Sequence, residues 1–443
     1  MSPDLFGHPR GLAFLFATEM WERFSYYGMR ALLVLYMVKY LLHPGAVDGV
    51  IGMQTTRDAL ETVFGPLGVQ PLASQIYGLY TALVYATPIL GGWCADRVLG
   101  QRRTVVIGAV LMAAGHFLMA IESMFLIALA TLIVANGCFK PNISTQVGGL
   151  YPPGDPRRDR AFSIFYVGIN LGAFAAPLVC GTLGETLGWH WGFSAAGVGM
   201  LCGLAIYLWG QRHLPPDERA RRAHQPRRRL ERAEWRSVIA LLLLFIPTTF
   251  FWATYEQQGN TIALWADEFT DRSLGALTIP VTWFQSFNPF MIFAFTPFLV
   301  ALWARQARRG REPSTVTKMA IGCAGVALSN VIMAAAAWQA GADKASWLWL
   351  LAYFIVITVG ELYLSPVSLS LVTKVAPGSI LSMMMGVWLA TSFTGNFIAG
   401  WLGSFWSAMG KMEFFLMIAA IAALASGCIW ALRPVVLQSL HDR

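Results

Sequence analysis

The sequence predicts an all-α integral membrane protein, and three observations support this class. The 443 residues are 56% hydrophobic and only 13% charged, whereas soluble domains carry about 25% charged residues. Apolar segments recur along the chain, and each is long enough for a helix to cross a bilayer, which takes roughly 20 residues. The basic residues lie between these segments, so the net charge of +8 does not indicate nucleic acid binding.

We predict twelve spans, in chain order 11–42, 72–95, 104–122, 124–149, 161–186, 192–211, 237–265, 281–304, 316–339, 346–373, 380–406 and 412–432. An even number places both termini on the same side. Loops that follow odd-numbered spans, such as 43–71 and 266–280, contain few basic residues, whereas loops that follow even-numbered spans are rich in arginine. By the positive-inside rule, the basic loops and both termini are expected to be cytoplasmic.

The central segment divides the chain into halves. Residues 212–236 are rich in arginine and interrupted by proline, which favours a solvated cytoplasmic linker over a lipid or nucleic-acid patch at its run 227–229. We therefore predict an N-terminal six-helix bundle at 1–211, a basic linker at 212–236 and a C-terminal six-helix bundle at 237–443. This is the major facilitator fold, in which the substrate site lies between the bundles near the membrane midplane.

The middle of the first span contains four charged residues, Glu19, Glu22, Arg23 and Arg30, in an otherwise apolar run. Each intramembrane charge costs ~2.5–3.5 kcal/mol on insertion scales. At about 100° per residue, Glu19, Arg23 and Arg30 fall within roughly 60° of one another, together with Tyr26. The stripe is therefore predicted to face a partner or a water-filled cavity. An ion-pair network without a transport role is the alternative.

Three further charges within predicted spans are candidates for function: Lys140 in the fourth, Glu256 in the seventh and Glu361 in the tenth. Their sign and depth suggest two pairs between the bundles, Arg30 with Glu256 toward the outside and Lys140 with Glu361 toward the inside. Salt bridges that close one side while the other opens are what alternating access requires; static pairing is the alternative. The amides of Asn170 and Asn288 also lie in apolar surroundings, where helix–helix contacts are common.

The second span ends in Gly91–Arg103, where Asp96 at a helix end is followed by a glycine turn and two arginines. This segment resembles the major facilitator signature between helices 2 and 3, and we expect it to clamp neighbouring helices on the cytoplasmic side. An ordinary basic turn is the alternative. The six cysteines fall within or beside spans without metal-ligand spacing, which favours packing roles.

Together these motifs resemble the proton-dependent oligopeptide transporter (POT/PTR) family of the major facilitator superfamily. The residues that carry the resemblance are Glu19-x-x-Glu22-Arg23-Phe24 with Tyr26, Tyr27, Gly28 and Arg30; Gly91–Arg103; Phe139–Asn142; Phe162–Gly172; Trp252 with Glu256 and Gln257; and Gly360, Glu361, Ser365 and Pro366. The resemblance implies import of di- and tripeptides driven by the inward proton gradient.

The resemblance also implies roles for individual residues. Arg30 and Lys140 would bind the peptide carboxylate, and Glu361 would bind the amino group. The other substrate-binding positions would be Asn170 and Asn288 at the amino group, Tyr26, Tyr27, Tyr85, Trp252 and Trp388 in side-chain pockets, and Ser365. Proton coupling would involve Glu19, Glu22, Arg23 and Glu256. A zwitterionic peptide needs opposite charges at its two ends, and aromatic walls accept varied side chains.

We expect no cofactor besides protons as the coupling ion, no metal and no enzyme activity. The expected partners are a di- or tripeptide, protons and the lipid bilayer, with no nucleic acid, and the expected state is a monomeric multi-pass protein of the plasma (inner) membrane. Two alternatives stay open on the same fold: a proton-coupled carrier of nitrate or another small anion, and a drug/proton antiporter. The scattered histidines give no support to an integral-membrane enzyme, and a receptor would not need these buried charges.

Overall fold

A computed structural model describes residues 4–5, 7–152, 155, 157–214, 232–376 and 381–441. The chain forms two compact units: Met1–Arg222 with Thr278–Phe290, and Ala223–Leu277 with Met291–Arg443. Residues 278–290 therefore cluster with the first unit, although the predicted boundaries put them in the second bundle. Most of the predicted linker, residues 215–231, lies outside the described residues.

The described chain is predominantly helical. Its α-helices are α1 (Arg10–Tyr36), α2 (Met53–Phe64), α3 (Val69–Cys94), α4 (Gln101–Leu118), α5 (Phe125–Gly149), α6 (Arg157–Ala176), α7 (Thr182–Thr186), α8 (Trp189–Gly210), α9 (Arg232–Tyr255), α10 (Thr261–Glu268), α11 (Phe287–Arg308), α12 (Thr315–Ala340), α13 (Leu348–Val375), α14 (Leu381–Gly403) and α15 (Lys411–His441). Two-residue strands lie before α1 and between later helices: β1 (Asp4–Leu5), β2 (His8–Pro9), β3 (Thr270–Asp271), β4 (Ser273–Leu274), β5 (Leu277–Thr278) and β6 (Ala345–Ser346). β1 pairs with β2 antiparallel, and β3 pairs with β6 in parallel.

Some α-helices are followed by π-helical turns, and others are preceded or joined by 3₁₀ turns. π-helical turns follow α1, α3 and α6, at Met37–Leu41, Ala95–Leu99 and Pro177–Gly181. A 3₁₀ turn, Glu256–Gly259, joins α9 to α10, and another, Val281–Ser286, leads into α11. Such irregular turns are frequent at functional positions.

In the first unit, α1 packs along α6 and α8, while α5 packs along α3 and α4. Close helix crossings depend on glycine. A Cβ atom added to Gly172 of α6 would collide with the Met20 carbonyl of α1, and one added to Gly91 of α3 would collide with the Gly137 carbonyl of α5. Small residues at such crossings allow membrane helices to approach closely.

In the second unit, α12 packs against α13 and α15, and α9 packs against α14 and α15. Gly322 and Gly360 bring α12 and α13 together, because a Cβ on Gly360 would lie 2.8 Å from the Gly322 carbonyl oxygen. Gly395 of α14 similarly makes room for Trp252 of α9. Each unit is thus a helical bundle with its own close crossings.

Each predicted span overlaps a helix. Eight helical segments of the described chain are long and apolar enough to cross a membrane: Glu122–Gly149, Arg160–Thr186, Trp189–His213, Glu234–Glu268, Val281–Arg308, Thr315–Ala340, Leu348–Val372 and Lys411–Val436. The other four spans lie on α1, α3, α4 and α14, of which α1 carries the charged stripe within its length. The predicted loop 43–71 contains the helix α2, whose buried residues Met53 and Leu60 lie on one face.

Candidate functional site

The charged stripe of α1 is buried in the first unit. Glu19, Glu22 and Arg23 are 2%, 0% and 3% exposed. Arg23 donates from Nη2 to Glu22 Oε1 at 2.6 Å and from Nε to the other Glu22 oxygen, while Arg23 Nε lies 3.3 Å from Glu19 Oε1, one helical turn away. Glu19 Oε2 has no hydrogen-bond partner among the described residues. Glu19, Glu22 and Arg23 therefore face ionic partners in the protein interior, whereas Arg30 is half-buried.

Arg30 lies further along α1 among tyrosines. Its Nε donates to the Tyr77 hydroxyl of α3 at 2.8 Å, and its guanidinium lies 5.9 and 5.7 Å from the ring centroids of Tyr27 and Tyr77. Arg23 lies 5.2 Å from the ring of Tyr26. Aromatic faces attract cations at these distances, so the rings position both guanidinium groups.

Lys140 of α5 faces the same region. Its ammonium lies 4.9 Å from the ring centroid of Tyr85 on α3, and it is close enough to interact electrostatically with Glu19, Glu22, Arg23 and Arg30. The structure therefore brings together the predicted residues of α1 and α5. Two cations, Arg30 and Lys140, share a tyrosine-lined region with a buried carboxylate pair, and an anionic group of a solute could bind there.

Sequence analysis missed two residues of this region, Tyr77 and Tyr80. Both are buried on α3, one turn apart, and Tyr80 interacts electrostatically with Tyr26, Glu22 and the arginines of α1. Their spacing of three residues, which places both on one side of α3, was the available signal.

The two predicted amides also belong to the first unit. Asn170 of α6 is 5% exposed, and its Nδ2 donates to the Tyr166 carbonyl of its own helix at 3.0 Å. Asn288 lies in the first turn of α11, within the part of α11 that clusters with the first unit, and it is partly exposed.

The remaining predicted residues lie in the second unit. Glu256 is 3% exposed and interacts electrostatically with Tyr353. Glu361 of α13 forms a hydrogen bond with the Tyr255 hydroxyl, at the end of α9 and next to Glu256. Thus Tyr255, which sequence analysis did not select, links the two predicted carboxylate positions of this unit.

The predicted aromatic positions of the second unit lie on α9 and α14. Trp252 is nearly buried, its ring lies 5.7 Å from that of Tyr255, and its Nε1 has no hydrogen-bond partner among the described residues. Trp388 Nε1 donates to Ser368 Oγ at 3.2 Å, and Ser368 in turn donates to the Ser365 carbonyl. The two predicted pairs, Arg30 with Glu256 and Lys140 with Glu361, combine residues of different units and stay predictions.

On the face predicted to be cytoplasmic, the Gly91–Arg103 segment forms an ordered turn. Gly100 has a φ of 84°, a left-handed conformation that favours glycine, and it separates the π-helical turn from α4. Arg102 donates to the Leu214 carbonyl beyond α8, which ties α4 to the end of the bundle. Asp96 and Arg97 are exposed.

Outside the membrane-spanning segments, Asp155 and Arg157 form a local ion pair at 2.8 Å between α5 and α6. Hydrogen bonds from the Arg157 side chain and backbone lower the pKa of Asp155 below its ordinary value. His, Cys, Asp and Glu side chains of the described residues form no group of three that could hold a metal ion.

Comparison with known proteins identifies the family. The family model described as "POT family" matches residues 102–225 and 220–416. The chain is 34% identical to the Di-/tripeptide transporter of Lactococcus lactis subsp. lactis (strain IL1403), over 99% of this chain and 97% of that protein. It is 32% identical to the Peptide transporter YePEPT of Yersinia enterocolitica, over 90% of this chain and 88% of that protein. The chain belongs to the POT family, so the resemblance inferred from the motifs is confirmed.

Solved structures support the same family assignment. The crystal structure of a peptide transporter POT in complex with sulfate matches 99% of this chain and 97% of that chain, with a TM-score of 0.86 and 32% identity. A POT family transporter in complex with 5-aminolevulinic acid matches 98% of both chains, with a TM-score of 0.83 and 28% identity. The chain is thus a multi-pass membrane protein of a transporter family.

Proposed function

We propose that the chain is a proton-coupled symporter that imports di- and tripeptides by alternating access. The observation that carries the proposal is the cluster in the first unit, where Arg30 and Lys140 lie beside the buried Glu19–Glu22–Arg23 triad and a set of tyrosines. The names of the relatives, a di-/tripeptide transporter and a peptide transporter, support the substrate class.

In this proposal Arg30 and Lys140 bind the peptide carboxylate, because both are cations set among aromatic rings. Glu361, with Asn170 and Asn288, binds the amino group. Tyr26, Tyr27, Tyr85, Trp252 and Trp388 accept the peptide side chains, and Ser365 completes the substrate-binding set. The pairs Arg30–Glu256 and Lys140–Glu361 close the outer and inner sides in turn.

The coupling ion in this proposal is the proton, and no other cofactor takes part. Glu19, Glu22 and Glu256 exchange protons because a buried carboxylate is costly to keep charged unless a cation is close. The chain crosses the plasma membrane twelve times with both termini cytoplasmic, acts as a monomer and catalyses no reaction. The arginine-rich loops on one side support this orientation.

Uptake of labelled dialanine into proteoliposomes with an acidic exterior tests the proposal. Wild-type protein is expected to accumulate dialanine, and unlabelled dialanine is expected to compete. Glu256→Gln is expected to lose gradient-driven accumulation and to retain counterflow exchange, because a glutamine cannot release a proton. Gradient-driven uptake by Glu256→Gln at the wild-type rate would refute the coupling role of Glu256.

The structural relative that binds 5-aminolevulinic acid favours a second candidate, a proton-coupled carrier of other small solutes. Competition separates the two. Inhibition of dialanine uptake by dipeptides but not by nitrate, 5-aminolevulinic acid or lipophilic cations supports peptide transport. Uptake of nitrate or outward flux of a lipophilic cation, without dialanine uptake, would support the anion carrier or the drug/proton antiporter.

A further inference from the structure

The six-residue turn that leads into α11 is fixed to α7 by one carboxylate. We call this turn, Val281–Ser286, the α11 leader. Glu185 of α7 accepts hydrogen bonds from the backbone N–H of Val281 through Oε2 at 2.8 Å and from the backbone N–H of Thr282 through Oε1 at 2.8 Å. The Thr282 hydroxyl donates to Oε1 as well, at 2.7 Å. The first N–H groups of a helical segment have no partner within it, and Glu185 supplies one.

Further contacts along the leader follow the same surface of the first unit. Trp283 Nε1 donates to the Thr182 hydroxyl at 2.7 Å, and Ser286 Oγ donates to the Phe174 carbonyl at 2.8 Å. Gly181 is required for this approach, because a Cβ atom there would collide with the Thr282 side chain. The acceptors lie around the π-helical turn Pro177–Gly181, so the irregular part of α6–α7 receives the leader.

The leader is anchored next to three predicted substrate-binding residues. Gln285 Nε2 donates to the Ala31 carbonyl at 3.3 Å, and Ala31 follows Arg30 on α1. The Phe174 carbonyl that accepts from Ser286 lies one helical turn after Asn170 on α6. Asn288 is two residues beyond Ser286. All of these residues belong to the first unit.

We propose that Glu185 is a positioning residue for substrate binding. Its carboxylate holds the leader, and therefore the first turn of α11 with Asn288, in place relative to Arg30 and Asn170. Glu185 itself does not contact the substrate. The inference rests on the proposed function, in which Asn288 binds the amino group of a peptide. A role confined to fold stability is the alternative that the experiment must exclude.

The geometry specifies a carboxylate at this position. Oε1 accepts hydrogen bonds from the N–H and the hydroxyl of Thr282, and Oε2 accepts one from the N–H of Val281. Both carboxylate oxygens therefore face donor groups. A glutamine has one acceptor oxygen, and its NH₂ group would face an N–H donor wherever the oxygen was placed. Glu185→Gln therefore loses at least one hydrogen bond without a change in side-chain size. Thr282→Val removes only the contacts of the hydroxyl, to Glu185 Oε1 at 2.7 Å and to the Pro177 carbonyl at 3.3 Å, and preserves the shape of that side chain.

The experiment measures KM and Vmax for dialanine uptake in proteoliposomes. Glu185→Gln is expected to raise KM about tenfold, the scale of a lost hydrogen bond to a charged group, with Vmax within about twofold of wild type. Thr282→Val is expected to raise KM about threefold. Thr186→Val is the matched control, because the adjacent Thr186 hydroxyl is exposed and donates to the Thr182 carbonyl of its own helix; its KM is expected to equal that of wild type.

A double-mutant cycle with Asn288→Ala separates positioning from stability. If Glu185 acts through Asn288, Glu185→Gln changes KM little further once Asn288 is alanine, and Thr282→Val behaves in the same way. Additive effects, or a fall in Vmax and folded protein at unchanged KM, would overturn the inference. If Glu185→Gln does not fold, the KM of Thr282→Val tests the inference in its place. Absence of dialanine uptake by wild type would refute the proposed function and this inference with it, whereas uptake with unchanged KM in both variants would refute only the inference.

Discussion

Replacement of Arg23 by methionine is expected to destabilise the transporter strongly. Glu22 is 0% exposed and accepts two hydrogen bonds from the Arg23 guanidinium, and Glu19 lies 3.3 Å from the same group. Methionine fills a similar volume but leaves the carboxylates without this cation. Removal of one partner of a buried ion pair costs ~3–5 kcal/mol, because the remaining charge stays buried and uncompensated. We therefore expect Arg23→Met to lower the free energy of unfolding by that amount.

The same reasoning predicts rescue by a second substitution. Glu22→Gln in the Arg23→Met background removes the most buried charge, so the double variant is expected to recover at least ~2 kcal/mol of the loss. Unfolding by SDS titration, followed by tryptophan fluorescence and circular dichroism, measures these differences. Arg308→Gln is the control, because Arg308 is exposed in the last turn of α11, and we expect it to unfold like wild type.

Two results would refute this reasoning. If Arg23→Met unfolds within ~1 kcal/mol of wild type, the triad is hydrated and the carboxylates do not need the guanidinium. If the double variant is no more stable than the single one, the loss comes from packing and not from uncompensated charge. Either result would also weaken the argument that the α1 charges are retained for transport.

Tyr77→Phe removes the hydroxyl that Arg30 donates to and keeps the ring, so KM for dialanine should rise about three- to tenfold with the fold intact; an unchanged KM would contradict a role for this bond. Asp155 has a lowered pKa, so its charge stabilises the folded state above the ordinary pKa of about 3.9, and this contribution disappears as the pH falls through the lowered value. The thermal midpoint of wild type should exceed that of Asp155→Asn at neutral pH and should approach it in acid below roughly pH 4; a difference that grows in acid would contradict the sign. Dialanine binding should take up protons from a weakly buffered solution at neutral pH, as a pH-sensitive dye would report, and proton release would contradict the linkage argued below.

Hydropathy was sufficient to predict where the helices lie, because spanning segments must satisfy their backbone hydrogen bonds internally and present apolar side chains to lipid. The period of 3.6 was sufficient to predict that Glu19 and Arg23 share one face of α1, and both are buried there. Both predictions depend only on residues that are close together in the sequence. The helix α2, within a segment predicted as a loop, was missed because it is short and its apolar face is narrow.

The parts that could not be predicted depend on contacts between distant residues. Nothing near Tyr77 in the sequence indicates that Arg30 donates to it, 47 residues away. Glu185 lies at the end of the predicted span 161–186 and resembles any polar helix end, and it accepts hydrogen bonds from Val281 and Thr282, which are 96 and 97 positions further on. The assignment of residues 278–290 to the first unit depends on the same contacts. Sequence motifs located the charged residues, whereas their positioning partners required coordinates.

The charges of the first unit suggest how proton and peptide binding reinforce each other in the proposed function. Arg23, Arg30 and Lys140 are cations, and Glu19 and Glu22 are carboxylates; Lys140 lies within electrostatic range of the other four groups, and Arg23 lies within range of both carboxylates. With every group ionised the cluster has one positive charge in excess, which a peptide carboxylate neutralises. A proton on either glutamate increases that excess and so strengthens carboxylate binding. By reciprocity, a bound carboxylate strengthens proton binding to the same extent. The coupling therefore requires no direct contact between peptide and proton, only a shared buried cluster in which cations outnumber carboxylates by one.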